Sequence, residues 1–228
     1  MQTMCLHPLL LDTQEVMQLK EIKCLYRLYM NGIVSQSMRQ KGAEYRVNFG
    51  LTLPLLRRIA EQIPPSAQTA EELWQDRGVR ESMLLAPMVY PAEQYTPADA
   101  QRWAQEMPNI EVVDFCCKYL FSHLPYAPQL VQDWITSPDE KIRYTAFRLS
   151  YAIISEETER EWLLMVVDNA IPAAYNNNSL SGAAARRFLT EALLMPAIAH
   201  AVAERVQTST IIDNEWRENI LALYDAES

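Results

Sequence analysis

Asp114 carries the carboxylate in this sequence that is best placed to take part in a reaction. It lies in a stretch whose apolar residues recur at helical spacing and share one arc of about 80–100° on a helical wheel: Ile110, Val113, Cys117, Leu120, Phe121 and Leu124. Asp114 falls at the edge of that arc, so its carboxylate is partly withdrawn from water and needs a hydrogen-bond or charge partner. An isolated aspartate of this kind often bonds to the backbone or to an arginine for structural reasons alone.

Arg143 is a second candidate, because it lies on the border of its own predicted helix. The buried side of that helix holds Ile142, Ala146, Leu149 and Ile153, and the opposite side holds Tyr144, Arg148 and Tyr151. From the border, a guanidinium can reach either a carboxylate or a bound phosphate. A solvated or stacking arginine is the alternative.

Other kinds of active site find no support in the sequence. It has no phosphate loop, nucleophile elbow or glycine-rich nucleotide fingerprint. None of the 4 cysteines has zinc-site spacing, and the 3 histidines are far apart. We therefore predict neither a metal nor a cofactor.

Charge is distributed unevenly along the chain. The net charge is −9, which argues against broad, non-specific nucleic-acid binding. Residues 1–62 carry 8 Lys and Arg against 5 Asp and Glu, whereas the other 166 residues carry 12 against 24. A DNA-binding surface would therefore be local and would involve the N-terminal third.

Helix start and stop signals recur every 15 to 20 residues or so, with no convincing strand between them. The first predicted helix runs from about Thr13 to Met30, Asn109 caps a helix from Ile110 to Leu124, and Ser137 opens a capping box. About twelve helices with short links predict an all-α fold of HEAT-like helical repeats, a solenoid with a concave groove. No segment looks like an interdomain linker, so we predict one domain over residues 1–228.

The sequence also predicts a cytoplasmic protein. No apolar run reaches the roughly 18 residues of a membrane span. The apolar stretch near the N-terminus lacks the basic region of a signal peptide.

One motif resembles a known family. Phe49 to Ala60, with the Phe-Gly-x-x-x-Pro-x-Leu-Arg pattern, is similar to the core of the DNA alkylation repair family of HEAT-like repeat glycosylases. Val112-Val113-Asp114 resembles the end of the family's Trp-Asp-Leu-Val-Asp helix, and Arg143 resembles the arginine that opens a later helix. The resemblance spans roughly residues 20 to 155.

This resemblance implies an enzyme that removes N3- or N7-alkylated purines from DNA. Asp114 would be the catalytic residue, because a carboxylate near the deoxyribose can stabilise its developing positive charge. Together with the charge distribution, the resemblance suggests that Arg57, Arg58, Arg143 and Arg186 contact DNA. The expected partner is double-stranded DNA with alkylated bases, bound weakly by a monomer.

The chain departs from the family at the two tryptophan positions, which hold Ile110 and Ala183. Loss of both aromatics would remove the cation–π contacts to a cationic base. A second hypothesis is therefore a non-catalytic HEAT-like binding module with a protein or nucleic-acid partner, in which Asp114 and Arg143 form a structural pair. A third is an unrelated helical scaffold.

Overall fold

The described part of the protein is mainly helical. Its structure, a computed structural model, describes residues 17–176, 178–211 and 213–227. The described residues form thirteen α-helices: α1 Leu19–Leu28, α2 Gly32–Gln40, α3 Leu53–Ala60, α4 Ala67–Gln75, α5 Arg80–Val89, α6 Pro97–Glu106, α7 Ile110–Tyr119, α8 Ala127–Trp134, α9 Glu140–Ile153, α10 Arg160–Ala174, α11 Leu180–Leu193, α12 Ala199–Thr208 and α13 Asn214–Glu227. The extended backbone that pairs in these ranges is a single bridge between Val47 and Val79. The all-α prediction is confirmed.

The chain divides into two compact units, and the boundary lies between Val89 and Tyr90. The one-domain organisation of residues 1–228 stays a prediction. The start of the first predicted helix, near Thr13, lies outside the described residues. None of the described helices is long and apolar enough to cross a membrane.

The first unit, which holds α1 to α5, is built on large apolar side chains from several helices. Trp74, Tyr26 and Met83 are fully buried in it. It also buries the carboxylate of Glu81, which accepts hydrogen bonds from the backbone N–H groups of Phe49 at 3.1 Å and Leu51 at 3.3 Å. This carboxylate therefore fixes the loop that precedes α3.

In the second unit, consecutive helices pack as pairs, namely α8 with α9, α10 with α11 and α12 with α13. Neighbouring pairs also contact each other, because α9 packs against α7 on one side and α11 on the other. This arrangement is typical of helical repeats, in which each pair buries its apolar stripe on its neighbours. Side chains such as Phe147 and Phe188 fill the core between them.

Two predicted helix boundaries in this unit are wrong. The helix capped by Asn109 ends at Tyr119, not at Leu124, because Leu120 leaves helical geometry at φ −131° and ψ −62°. That bend buries Phe121 beside Trp134, with ring centroids 5.8 Å apart. The cap of α9 is Asp139, two residues after the predicted Ser137, and its carboxylate accepts bonds from two backbone N–H groups of the first turn.

Candidate functional site

Asp114 lies on α7 and is held from α9 by two side chains. The Tyr144 hydroxyl donates to its Oδ1 atom at 2.8 Å, and Arg148 Nε donates to the same oxygen at 2.7 Å. The side chain of Arg148 is 19% exposed and that of Asp114 is 39% exposed. Asp114 thus has the charge partner that its position on the helix requires, and it still faces solvent.

The charge pair changes the pKa of each donor. Burial alone would lower the pKa of Arg148, but the hydrogen bond and charge of Asp114 outweigh burial and raise it. Burial raises the pKa of Tyr144, and the nearby carboxylate raises it further. Arg148 is therefore charged and Tyr144 protonated at neutral pH, so both remain donors to the carboxylate.

Two arginine side chains, one of them from this pair, lie close to a single aromatic ring. The Arg148 guanidinium lies 5.6 Å from the ring centroid of Tyr151, and the Arg187 guanidinium lies 4.6 Å from the same centroid. An Arg187 nitrogen also donates to the Tyr151 hydroxyl at 3.3 Å. We call Asp114, Arg148, Tyr151 and Arg187 the Asp114 surface.

Helix geometry explains how these side chains come together. Tyr144, Arg148 and Tyr151 are spaced by four and three residues, so they share one side of α9. Asp114 is supplied by α7 and Arg187 by α11, the two helices that flank α9. Ile110 and Ala183, both exposed, lie one turn before Asp114 and Arg187 on their respective helices. The positions that resemble the family's tryptophans therefore adjoin the Asp114 surface.

Arg143 does not pair with Asp114, so the structural pair suggested by the sequence is wrong in its cationic partner, which is Arg148. The Arg143 side chain instead donates to the Ser137 carbonyl at 2.6 Å and pairs with Glu140. Glu140 in turn accepts the Ser181 backbone N–H at 2.8 Å. Arg143 is therefore part of a network that joins the start of α9 to the start of α11.

Arg186 also directs its donors into the protein. Its Nε donates to the Ala174 carbonyl at 2.8 Å, it pairs with Asp213 at 2.5 Å, and its guanidinium lies 4.8 Å from the Trp216 ring centroid. Only 12% of the side chain is exposed. The DNA-binding roles of Arg143 and Arg186 stay predictions, and their contacts in the structure are internal.

Arg57 and Arg58 lie in the last turn of α3, in the first unit, and both are exposed. The guanidinium of Arg58 lies 5.8 Å from the Tyr29 ring centroid. The structure therefore assigns these two arginines and Asp114 to different units.

Sequence reasoning did not select Arg148, Tyr151 or Arg187 as site residues. The signal was present for α9, because Tyr144, Arg148 and Tyr151 recur at helical spacing on the side opposite its main apolar stripe. Arg187 gave no such signal, since only the packing of α11 on α9 brings it to Tyr151. In the described ranges, no group of three or more His, Cys, Asp or Glu side chains is arranged to hold a metal ion.

Comparison with known proteins gives the family. The sequence profile described as DNA alkylation repair enzyme matches residues 29–175, which is more than half of the chain. The chain belongs to the DNA alkylation repair enzyme family. Asp114, Arg148 and Tyr151 lie within the matched range.

The fold of this chain is similar to that of a solved structure. That structure is described as "a new family of proteins related to the HEAT-like repeat DNA glycosylases with affinity for branched DNA structures". Its TM-score is 0.77 at 16% identity, over 92% of this chain and 95% of the other. The predicted HEAT-like repeat fold is thereby confirmed. Comparison with curated proteins gives no match.

Proposed function

We propose that this chain binds DNA through the Asp114 surface and contacts the phosphate backbone without excising a base. The observation that carries the proposal is the closeness of two guanidinium groups, those of Arg148 and Arg187, to the ring of Tyr151, at 5.6 Å and 4.6 Å from its centroid. Stacked guanidinium groups keep their edge N–H donors available in a fixed orientation, which suits phosphate oxygens. Membership of a DNA repair family supports nucleic acid as the ligand.

Arg187 is the residue best suited to meet a phosphate. It is exposed, its position is restricted by Tyr151, and no carboxylate pairs with it at ion-pair distance among the described residues. Arg148, by contrast, is largely neutralised by Asp114. Because the second unit as a whole is acidic, we expect binding to be weak and sensitive to salt.

Two features argue against recognition of a cationic base. The family's tryptophan positions hold Ile110 and Ala183, which have no aromatic face, and the Tyr151 ring beside them already contacts two guanidinium groups. In addition, the negative charge of Asp114 already interacts with Arg148, which reduces the charge available to an oxocarbenium-like sugar. These features favour a binding role in which the shape of the DNA is recognised. The affinity of the structural relative for branched DNA makes branched duplexes the first ligands to test.

A glycosylase that removes N3- or N7-alkylated purines is the second candidate, and one observation favours it. Both hydrogen bonds to Asp114 are accepted by Oδ1, and 39% of the side chain is exposed. The carboxylate is therefore held in place while part of it faces solvent, which is the condition for electrostatic stabilisation of a bound sugar.

Fluorescence anisotropy with a labelled linear duplex and a labelled four-way junction tests DNA binding. Arg187→Ala should weaken binding and lower the slope of log affinity against log salt by about one. Arg205→Ala is the matched control, since Arg205 forms an exposed pair with Asp168 on other helices of the same unit. Equal affinities of the two variants would contradict the proposal. Release of methylated bases by the wild type, abolished in Asp114→Asn, would establish the glycosylase instead.

A further inference from the structure

The junction between α1 and α2 exposes three large apolar side chains within six residues. Leu28 is 71% exposed, Met30 is 60% exposed and Ile33 is 82% exposed. Exposed apolar residues scattered singly are ordinary, whereas three of them at one helix junction point to a surface that a partner covers. We call Leu28, Met30 and Ile33 the apolar tip.

The tip is held firmly by the chain around it. The Asn31 N–H donates to the Phe49 carbonyl at 2.8 Å, and the Ser35 hydroxyl donates to the Asn48 carbonyl at 2.8 Å. Gly50 packs so closely that a Cβ atom there would lie 2.2 Å from the Asn31 carbonyl oxygen. The exposed residues are therefore presented by a fixed turn. Because the turn is already ordered, binding loses less conformational entropy.

The stretch of sequence that contains the apolar tip carries a net positive charge. Residues 17–62 carry 8 Lys and Arg against 3 Asp and Glu, whereas residues 90–228 carry 10 against 20. Arg27 immediately precedes Leu28, and the Arg58 guanidinium lies over the ring of Tyr29, between two tip residues in sequence. The partner of the tip should thus combine negative charge with an apolar face.

Duplex DNA at a branch point has both properties, because its phosphates are negative and the last base pair of each arm can be unstacked. Apolar side chains of DNA-bending proteins, among them leucine, isoleucine and methionine, insert between base pairs at such steps. A second copy of the tip would bring like charges together, which disfavours self-association. We propose that the apolar tip packs against base pairs at a DNA branch while the neighbouring arginines contact phosphates. This inference rests on the proposed DNA binding.

The test compares a four-way junction with a linear duplex whose two ends are closed by hairpin loops, so that the linear probe lacks an open base-pair face. We expect Ile33→Ser to weaken junction binding about tenfold, the effect of losing one buried aliphatic side chain, and to leave the closed linear duplex within about twofold of the wild type. Leu223→Ser is the control, since Leu223 is also exposed but belongs to α13. Circular dichroism should show an unchanged fold in both variants.

The outcomes separate this inference from the proposed function. Wild-type protein that binds neither probe would overturn both. DNA binding that depends on Arg187 but is unaffected by Ile33→Ser would overturn the tip alone. Loss of affinity for both probes equally would also overturn it, and so would wild-type binding to anionic phosphatidylserine vesicles that Ile33→Ser abolishes while junction affinity stays unchanged.

Discussion

Arg148 on α9 donates its Nε to Oδ1 of Asp114 on α7 at 2.7 Å, and the two residues are 34 positions apart in sequence. The bond joins neighbouring helices of the second unit at the side where both meet solvent. It therefore has two consequences that can be measured separately, one for stability and one for any reaction at the carboxylate.

Asp114→Asn should destabilise the protein by about 1–2 kcal/mol. The change leaves Arg148 largely buried without a charge partner, while Tyr144 can still donate to the asparagine oxygen. The cost is smaller than for a fully buried pair, because 39% of the Asp114 side chain is exposed. Urea unfolding measures it. Asp168→Asn removes the charge partner of Arg205 in a more exposed ion pair and should cost less than about 0.5 kcal/mol. Equal costs for the two substitutions would show that the Asp114 pair has no special role.

Acidification should remove the contribution of Glu140. Burial alone would raise its pKa, but the bonds from Ser181 and the charge of Arg143 lower it below its ordinary value of 4.5. A lowered pKa means that the stabilisation is complete above 4.5 and is lost as pH falls through the native value. The difference in unfolding free energy between wild type and Glu140→Gln should therefore be largest at pH 7 and shrink below pH 4.5. If this difference in unfolding free energy instead increased at acidic pH, the stabilising role assigned to Glu140 would be wrong.

Gly50→Ala should destabilise the first unit by more than about 4 kcal/mol. Gly50 has φ +73°, and an added Cβ would lie 2.2 Å from Asn31 O and 2.7 Å from Ser35 N. Gly42→Ala is the matched control, because Gly42 also has a positive φ, +90°, but nothing lies within 4 Å of its Cβ position. That variant should lose only about 1–2 kcal/mol. Thermal unfolding of the two variants separates the steric contact from backbone strain.

Substitution of Arg186 should affect mainly stability, whereas substitution of its neighbour Arg187 should affect mainly DNA affinity. Arg186→Met should lower stability by about 2 kcal/mol, because it loses the bond to the Ala174 carbonyl and the stack on Trp216. Arg187→Met should change stability by less than about 0.5 kcal/mol and should weaken DNA binding. Both changes remove one positive charge, so a loss of affinity in Arg186→Met alone would reverse our assignment.

Arg57→Ala combined with Arg58→Ala should weaken DNA binding without unfolding the protein, since both side chains are exposed on α3. The loss should shrink as salt increases, because released counterions supply this part of the affinity. Anisotropy titrations at several salt concentrations measure the effect. An affinity that is independent of salt in both proteins would argue against an electrostatic contact.

The helical class and most helix positions follow from local signals in the sequence. Asn109 and Ser179, for example, cap α7 and α11 by accepting backbone N–H groups three residues ahead. The end of α7 could not be read in this way, because Leu120 bends to bury Phe121 in a core that depends on distant helices. Asp114 was identifiable from its place on the helical wheel. Its partner was not, since Arg143 and Arg148 lie on the same helix and only the packing of α9 on α7 decides between them.

The loop before α3 is held by its main chain, because buried Glu81 binds the N–H groups of Phe49 and Leu51. A carboxylate that recognises amide groups is indifferent to the side chains those residues carry. The turn beside this loop can therefore exchange its outward-facing residues during divergence and keep its backbone path. In protein engineering, the same property makes the exposed residues Leu28, Met30 and Ile33 positions where new contact residues can be installed without redesign of the scaffold.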